Sequence, residues 1–274
     1  MHPRATLKPF LLFNIAILLF AASYASAQAG ELDNTFASGG IFTAPSATST
    51  ENAVAIQSDG KIVVAGLGAL SNGDPVDTLL RLNTNGTLDT SFGVSGVANI
   101  SPTGAIVEEG FFGVVIQSDG KIVVAGAITS KVNAPQTAND IGFGIVRYNS
   151  NGSLDGTFGT RGVAITDFGA TANDSGAFAL AVQSNGDIVA AGAAGVSSSA
   201  TFTSSSFGLS RYTSAGKLDT TFGTGGITIT TIGSGHISFV NALAIQSDGK
   251  IVAAGTSTLG IQVENGYVAR YLSQ

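Results

Sequence analysis

One ten-residue string limits what this chain can fold into. Gln57-Ser58-Asp59-Gly60-Lys61-Ile62-Val63-Val64-Ala65-Gly66 recurs unchanged at 117–126, as QSNGDIVAAG at 183–192 and as QSDGKIVAAG at 246–255. A second signature, Leu-Asp-x-x-Phe, travels with it: Leu32-Asp33 with Phe36, Leu88-Asp89 with Phe92, Leu154-Asp155 with Phe158, Leu218-Asp219 with Phe222. Together they divide the sequence into four units, about 31–86, 87–152, 153–216 and 217–274. A unit this short cannot bury its apolar residues alone. The units must stack, and the fold is a repeat array.

Each unit carries four short β-like runs, and helical periodicity is missing throughout. In the fourth unit the expected strands are 242–246, 250–254 and 267–271, and a strand at 226–230 completes the unit before it. Asp-Gly or Asn-Gly joins the first strand to the second, which predicts a type I′ hairpin with both residues at positive φ. Gly86, Gly152 and Gly216 mark the turn from the third strand to the fourth. Four antiparallel strands per repeat make one blade of a β-propeller, so the fold class is all-β. The first Leu-Asp segment precedes a strand-like stretch at 40–43, while the fourth unit stops after its third strand. A four-bladed ring closed by this N-terminal strand is therefore expected, since closure removes two sheet edges. Half of an eight-bladed ring made by two chains, or an open β array, are the alternatives.

These motifs resemble the delta-60 repeat family of bacterial secreted proteins. The resemblance rests on QSDGKIVVAG, on the strand ending in Arg-Tyr or Arg-Leu, and on the LDxxFG segment, and it covers residues 31–274. It implies a β-propeller-like array and brings no activity with it. The third copy departs most, with Asn185 and Asp187, but Asn-Gly turns as readily as Asp-Gly.

Arg4 and Lys8 precede an apolar run at 10–22 and then Ala25-Ser26-Ala27, the order of a signal peptide cleaved before Gln28. That run is short of the roughly 20 residues a membrane span needs. A single domain over 28–274 is expected, secreted, periplasmic or at the bacterial cell surface, with no membrane span in the mature chain. The absence of cysteine excludes disulfides, thiolate chemistry and cysteine-ligated metal. With 12 basic residues against 18 acidic, there is no basic footprint for nucleic acid.

Arg81, Arg147, Arg211 and Arg270 occur once per unit, and the first three lie eight residues before Asp89, Asp155 and Asp219. An arginine in an apolar strand needs a carboxylate, so these are expected as scaffold pairs. The same rule sends Arg270 to Asp33, a pair that would test ring closure. Phe36, Phe92, Phe158 and Phe222 read as packing between blades, and Lys61, Lys121 and Lys250 as solvated strand starts.

In a propeller the two repeated turns share one face, and the variable loops share the other, where binding usually lives. Glu51, Glu109, Asp174 and His236 stand ahead of the four first strands and form the candidate ligand site around the central opening. The carboxylates of Glu51, Glu109 and Asp174 would suit calcium, because hard cations take oxygen ligands. No nucleophile elbow, phosphate loop, zinc motif or dinucleotide fingerprint is present. The expected function is a non-catalytic binding or scaffold module acting through its variable-loop face, with a carbohydrate or an envelope protein as partner. The alternative is a carbohydrate-active enzyme, a glycoside hydrolase or lyase, using loop carboxylates.

Overall fold

The apolar string Ile-Val-Val-Ala-Gly is hydrophobic on both faces of a strand, and the structure shows why. In a computed structural model, which describes residues 30–44, 50–69, 75–99, 105–130, 141–168, 175–197, 202–259 and 262–273, each blade is a small antiparallel sheet packed against its neighbours in the row. Blade 1 holds β1 (Thr50–Ile56), β2 (Ile62–Ala69), β3 (Pro75–Leu82) and β4 (Val97–Asn99). Blade 2 holds β5 (Ala105–Ile116), β6 (Ile122–Ser130), β7 (Ile141–Tyr148) and β8 (Val163–Thr166). Blade 3 holds β9 (Gly176–Val182), β10 (Ile188–Ser197), β11 (Phe202–Tyr212) and β12 (Ile227–Thr230). Blade 4 has β13 (Ile237–Ile245), β14 (Ile251–Leu259) and β15 (Gln262–Tyr271), and among the described residues β15 pairs with β14 alone. One parallel bridge, Ser205 to Ile237, joins blade 4 to blade 3.

The first hairpin differs from the expected type I′. Gly60 N donates to Gln57 O and Gln57 N to Lys61 O, so Ser58 and Asp59 form an ordinary type I turn. Only Gly60 takes a positive φ, 81°. Asp59 keeps negative φ and accepts from the Lys61 backbone N at 3.1 Å. This is the three-residue loop with a glycine bulge, one residue longer than the two-residue loop that an Asp-Gly pair alone suggests.

Three apolar seams hold the blades together. Val63, Ala65 and Leu79 of blade 1 meet Ile122, Val124, Val146 and Tyr148 of blade 2. Val123, Ala125, Phe143 and Ile145 meet Ile188, Ala190 and Tyr212 at the next seam, and Val189, Ala191, Phe207 and Leu209 meet Ile251 and Ala253 at the third. Each large side chain so buried contributes roughly 1.5–3 kcal/mol. A buried ion pair is worth little net of its desolvation, so the seams supply the stability. The arginines set how the blades sit.

Arg81 Nε donates to Asp89 Oδ2 at 2.8 Å, Arg147 Nε to Asp155 at 2.8 Å and Arg211 Nε to Asp219 at 2.7 Å. Each guanidinium lies 4.5–4.9 Å from the centroid of Phe92, Phe158 or Phe222, and each Nη1 reaches into the next blade, to the backbone O of Ser150, Ser214 or Ser273. The Ser91 hydroxyl first, then the Lys61 ammonium, hold the Asp89 carboxyl far below the usual carboxylate range. Lys61 and Lys121, expected as solvated, thus reach Asp89 at 2.9 Å and Asp155 at 3.5 Å.

Among the described residues, the fourth pair and the expected closure are absent. Asp33 is exposed and bonds to Thr35, while Arg270 is exposed and acts on Asp248. The N-terminal segment does not pair with β15. It packs on blade 1, where Ala37 N donates to Asn85 O at 2.7 Å, as Gly93 N donates to Asn151 O at 2.8 Å one blade on. Equivalent positions measure the gap: Leu79, Ile145 and Leu209 are 0% exposed, whereas Val268 is 74% exposed. The described array is open between blade 4 and blade 1.

Candidate functional site

The feature that shapes the centre of the array is a bulge in the innermost strand of every blade. Glu51 pairs with Gly66 and Ala53 with Ala65, which leaves Asn52 extra. The same skip leaves Phe112 between Phe111 and Gly113, Phe178 between Ala177 and Ala179, and Asn241 between Val240 and Ala242. A bulge re-aims side chains, and these four residues, with Phe239, line one cavity of about 280 Å³.

The bulge also explains the glycine that ends each repeated string. A Cβ on Gly66 would lie 2.0 Å from Thr50 O, one on Gly192 1.9 Å from Gly176 O, and one on Gly255 2.1 Å from Phe239 O. The inner strand's backbone crosses directly over this position, so no side chain fits.

Inside the cavity the rings meet edge to face. Phe112 and Phe178 lie 5.1 Å apart at 72°, and Phe178 and Phe239 6.1 Å apart at 68°. Asn52 Nδ2 donates to Phe111 O at 3.0 Å, tying blade 1 to blade 2 beside the cavity. Among the described residues the lining is aromatic and amide, with no titratable group. Such a surface offers apolar ring faces and neutral hydrogen-bonding groups, which suits an uncharged ligand.

The residues singled out from sequence lie elsewhere or outside the described residues. Glu51 stands beside the bulge, exposed, with its carboxylate against Gly66. His236 belongs to a polar knot between blades 3 and 4, where Nδ1 lies 3.0 Å from Ser257 Oγ. Ser257 in turn receives a bond from Ser238 Oγ at 2.8 Å, and Ser205 Oγ donates to Ser238 O at 2.9 Å. Glu109 is in β5, but its side chain and the whole of Asp174 lie outside the described residues. Among the described residues, no three His, Asp or Glu side chains come together in a way that could hold a metal ion. In the sequence the trace of this lining is indirect: the glycine that ends each repeated string marks where the bulge stands opposite, and the extra residue itself leaves no mark.

A family model described as a β-propeller domain of unknown function, DUF5122, matches residues 57–92, 117–158, 183–222 and 246–274. The chain belongs to this family. The first three matched segments run from the first hairpin to the Phe of the Leu-Asp segment, and the fourth from its hairpin through β15. No match was found among curated proteins. Among solved structures, a gluconolactonase from Xanthomonas campestris is similar at 13% identity and a TM-score of 0.41, over 78% of this chain and 58% of that one. A polysaccharide lyase of family PL25, an ulvan lyase bound to its saccharide, aligns at 12% identity and 0.39, over 81% and 56%. A xylan β-1,4-xylosidase from Bacillus halodurans C-125 aligns at 12% and 0.38, over 77% and 38%. The DUF5122 chain thus spans less than two thirds of each of these structures.

Proposed function

We propose that this protein is a non-catalytic binding module, secreted or displayed at the cell surface, that takes an uncharged carbohydrate at the cavity between its inner strands. One observation carries the reading: Phe112, Phe178 and Phe239 converge there, framed among the described residues by the amides of Asn52 and Asn241. Phenyl faces pack against the C–H face of a sugar ring, and amides exchange hydrogen bonds with its hydroxyls. Acid–base cleavage would need two carboxyl groups flanking the bond, whereas the lining among the described residues is aromatic and amide. In β1 and β9 the bulge lies toward the variable-loop end of the inner strand, so the loops there would extend the site and set which chain is chosen. The basic, apolar and small-residue order of positions 4–27 supports export.

Titration calorimetry with cellohexaose and xylohexaose tests the proposal. Binding without cleavage is expected, and Phe178→Ala should weaken it about tenfold, the equivalent of about 1.4 kcal/mol. An unchanged affinity in Phe178→Ala, or no binding of either sugar, would sink it.

A further inference from the structure

Each blade junction of this molecule contains one arginine socket, built from both blades and repeated three times. Its parts are an aspartate whose Oδ2 takes the arginine Nε, a phenylalanine under the guanidinium, and a backbone carbonyl of the following blade for Nη1. The aspartate's other oxygen, Oδ1, is occupied by the hydroxyl two residues on, Ser91, Thr157 or Thr221, at 2.6–2.7 Å.

The two ends of the described array hold the two halves of a fourth socket. On blade 1, Asp33 Oδ1 accepts from Thr35 N at 2.9 Å and Thr35 Oγ1 at 2.6 Å, while Oδ2 accepts nothing among the described residues. Phe36 packs on the blade 1 turn as Phe92 packs on that of blade 2: a Cβ on Gly86 would lie 2.9 Å from the Phe36 ring, and one on Gly152 3.0 Å from Phe92. Thr84 stands where Ser150 and Ser214 stand, so its carbonyl is in place for an Nη1. Among the described residues, this half-socket receives no arginine. On blade 4, Arg270 is exposed and has no socket.

The apolar surfaces match in the same way. Val114, Ile116, Leu180, Val182, Leu243 and Ile245 pack against the blade before theirs, but their blade 1 equivalents Val54 and Ile56 are 64% and 70% exposed. Val268 and Leu272 are exposed on the outer side of blade 4. Val268 is thus in water where the repeat otherwise buries a large apolar residue fully, and Val54 and Ile56 where it otherwise half-buries one.

We infer that a second copy of this chain completes the junction: blade 4 of one molecule docks on blade 1 and the N-terminal segment of another, with Arg270 entering the Asp33–Phe36 socket. Closure within one molecule is disfavoured by the junctions themselves. The same contacts, repeated three times, do not bring blade 4 back to blade 1. Closing on itself would require all three junctions to change, whereas a second copy uses the same junction a fourth time. The contact is heterologous, and two chains joined at both ends satisfy both halves of both sockets.

Sedimentation of the full chain over a concentration series, with charge reversals at each half, tests this. The wild type should associate reversibly. Arg270→Glu and Asp33→Arg, both at exposed positions, should each keep the wild-type circular dichroism and, at dilution where the wild type is monomeric, the wild-type melt, while dissociating at least tenfold more readily. An equimolar mixture of the two variants should associate again. In such a pair, the carboxylate introduced at position 270 of one variant meets the guanidinium introduced at position 33 of the other, while the native Arg270 and Asp33 that remain meet at the second junction. A wild type that is monomeric throughout, or variants whose association is unchanged or not restored by mixing, would overturn the inference.

Discussion

Asp77 occupies the position in β3 where β7 and β11 carry Phe143 and Phe207, so a carboxyl stands where the repeat puts a phenyl ring in the seam. It is buried, its Oδ1 has no hydrogen-bond partner, and loss of solvent pushes its pKa from 3.8 to about 7. Across the seam the Tyr148 hydroxyl is also without a partner, and burial, then the charge of Asp77, raise its pKa well above 10. The corresponding Tyr212 is bonded to Thr166 at 2.6 Å and Tyr271 to Thr230 at 3.0 Å. The sign of the consequence is definite. Below pH 3.8 the carboxyl is neutral in folded and unfolded chains alike. Between 3.8 and about 7 the unfolded chain ionises while the folded one holds its proton, so stability falls as pH rises, and the loss levels off above 7. A gap of this size corresponds to a loss on the order of 2–4 kcal/mol. Urea unfolding at pH 4, 6 and 8 should show that decline in the wild type and its removal in Asp77→Asn. Parallel curves for the two proteins would refute it.

At the scale of the element, the inner strand and its bulge can be tested through the glycine opposite. Gly192→Ala places a methyl group 1.9 Å from Gly176 O, and backbone cannot step aside without unpicking the register of β9 on β10. A loss of about 3 kcal/mol is expected, at the upper end of overpacking costs. Gly156→Ala is the control, since nothing lies within 4 Å of the added atom, and a shift within about 0.5 kcal/mol is expected there. Equal denaturation midpoints for the two variants would remove the steric explanation of the repeated glycine. What the sequence disclosed, and what it hid, follows from the same geometry. Short β-branched runs between glycine turns specify four-stranded units because hydrogen bonding and period are local properties. The Arg–Asp spacing of eight was legible for a similar reason, as both residues flank one turn and Asp89 N bonds to Arg81 O. The bulge was not legible, because one extra residue in an apolar strand changes no composition and shows only as a broken pairing with a neighbour. The type of the first hairpin depended on counting Gln57 and Lys61 into the turn, not on the Asp-Gly pair alone.

For the whole molecule, the deciding quantity is the angle between successive blades, and it is set by packing too fine for a residue pattern to carry. Four repeats suggested a ring of four. Yet the junction made by Arg81, Asp89, Phe92 and Ser150, and copied twice, leaves blade 4 apart from blade 1. An open array has uneven stability. Blades 2 and 3 are covered on both faces, whereas Val54, Ile56, Val268 and Leu272 leave one face of blade 1 and one of blade 4 in water. Local opening is cheapest where few apolar contacts must be given up. In dilute solution the amides of β14 and β15 should therefore exchange faster than those of β6, β7 and β10, by a factor of at least ten. Hydrogen-exchange mass spectrometry measures this segment by segment. If a second copy covers these faces, raising the concentration should slow exchange in β1, β14 and β15 while leaving β6, β7 and β10 unchanged. Uniform protection at the lowest concentration would mean that the terminal faces are already covered within one chain, and the open arrangement would then be wrong for the molecule in solution.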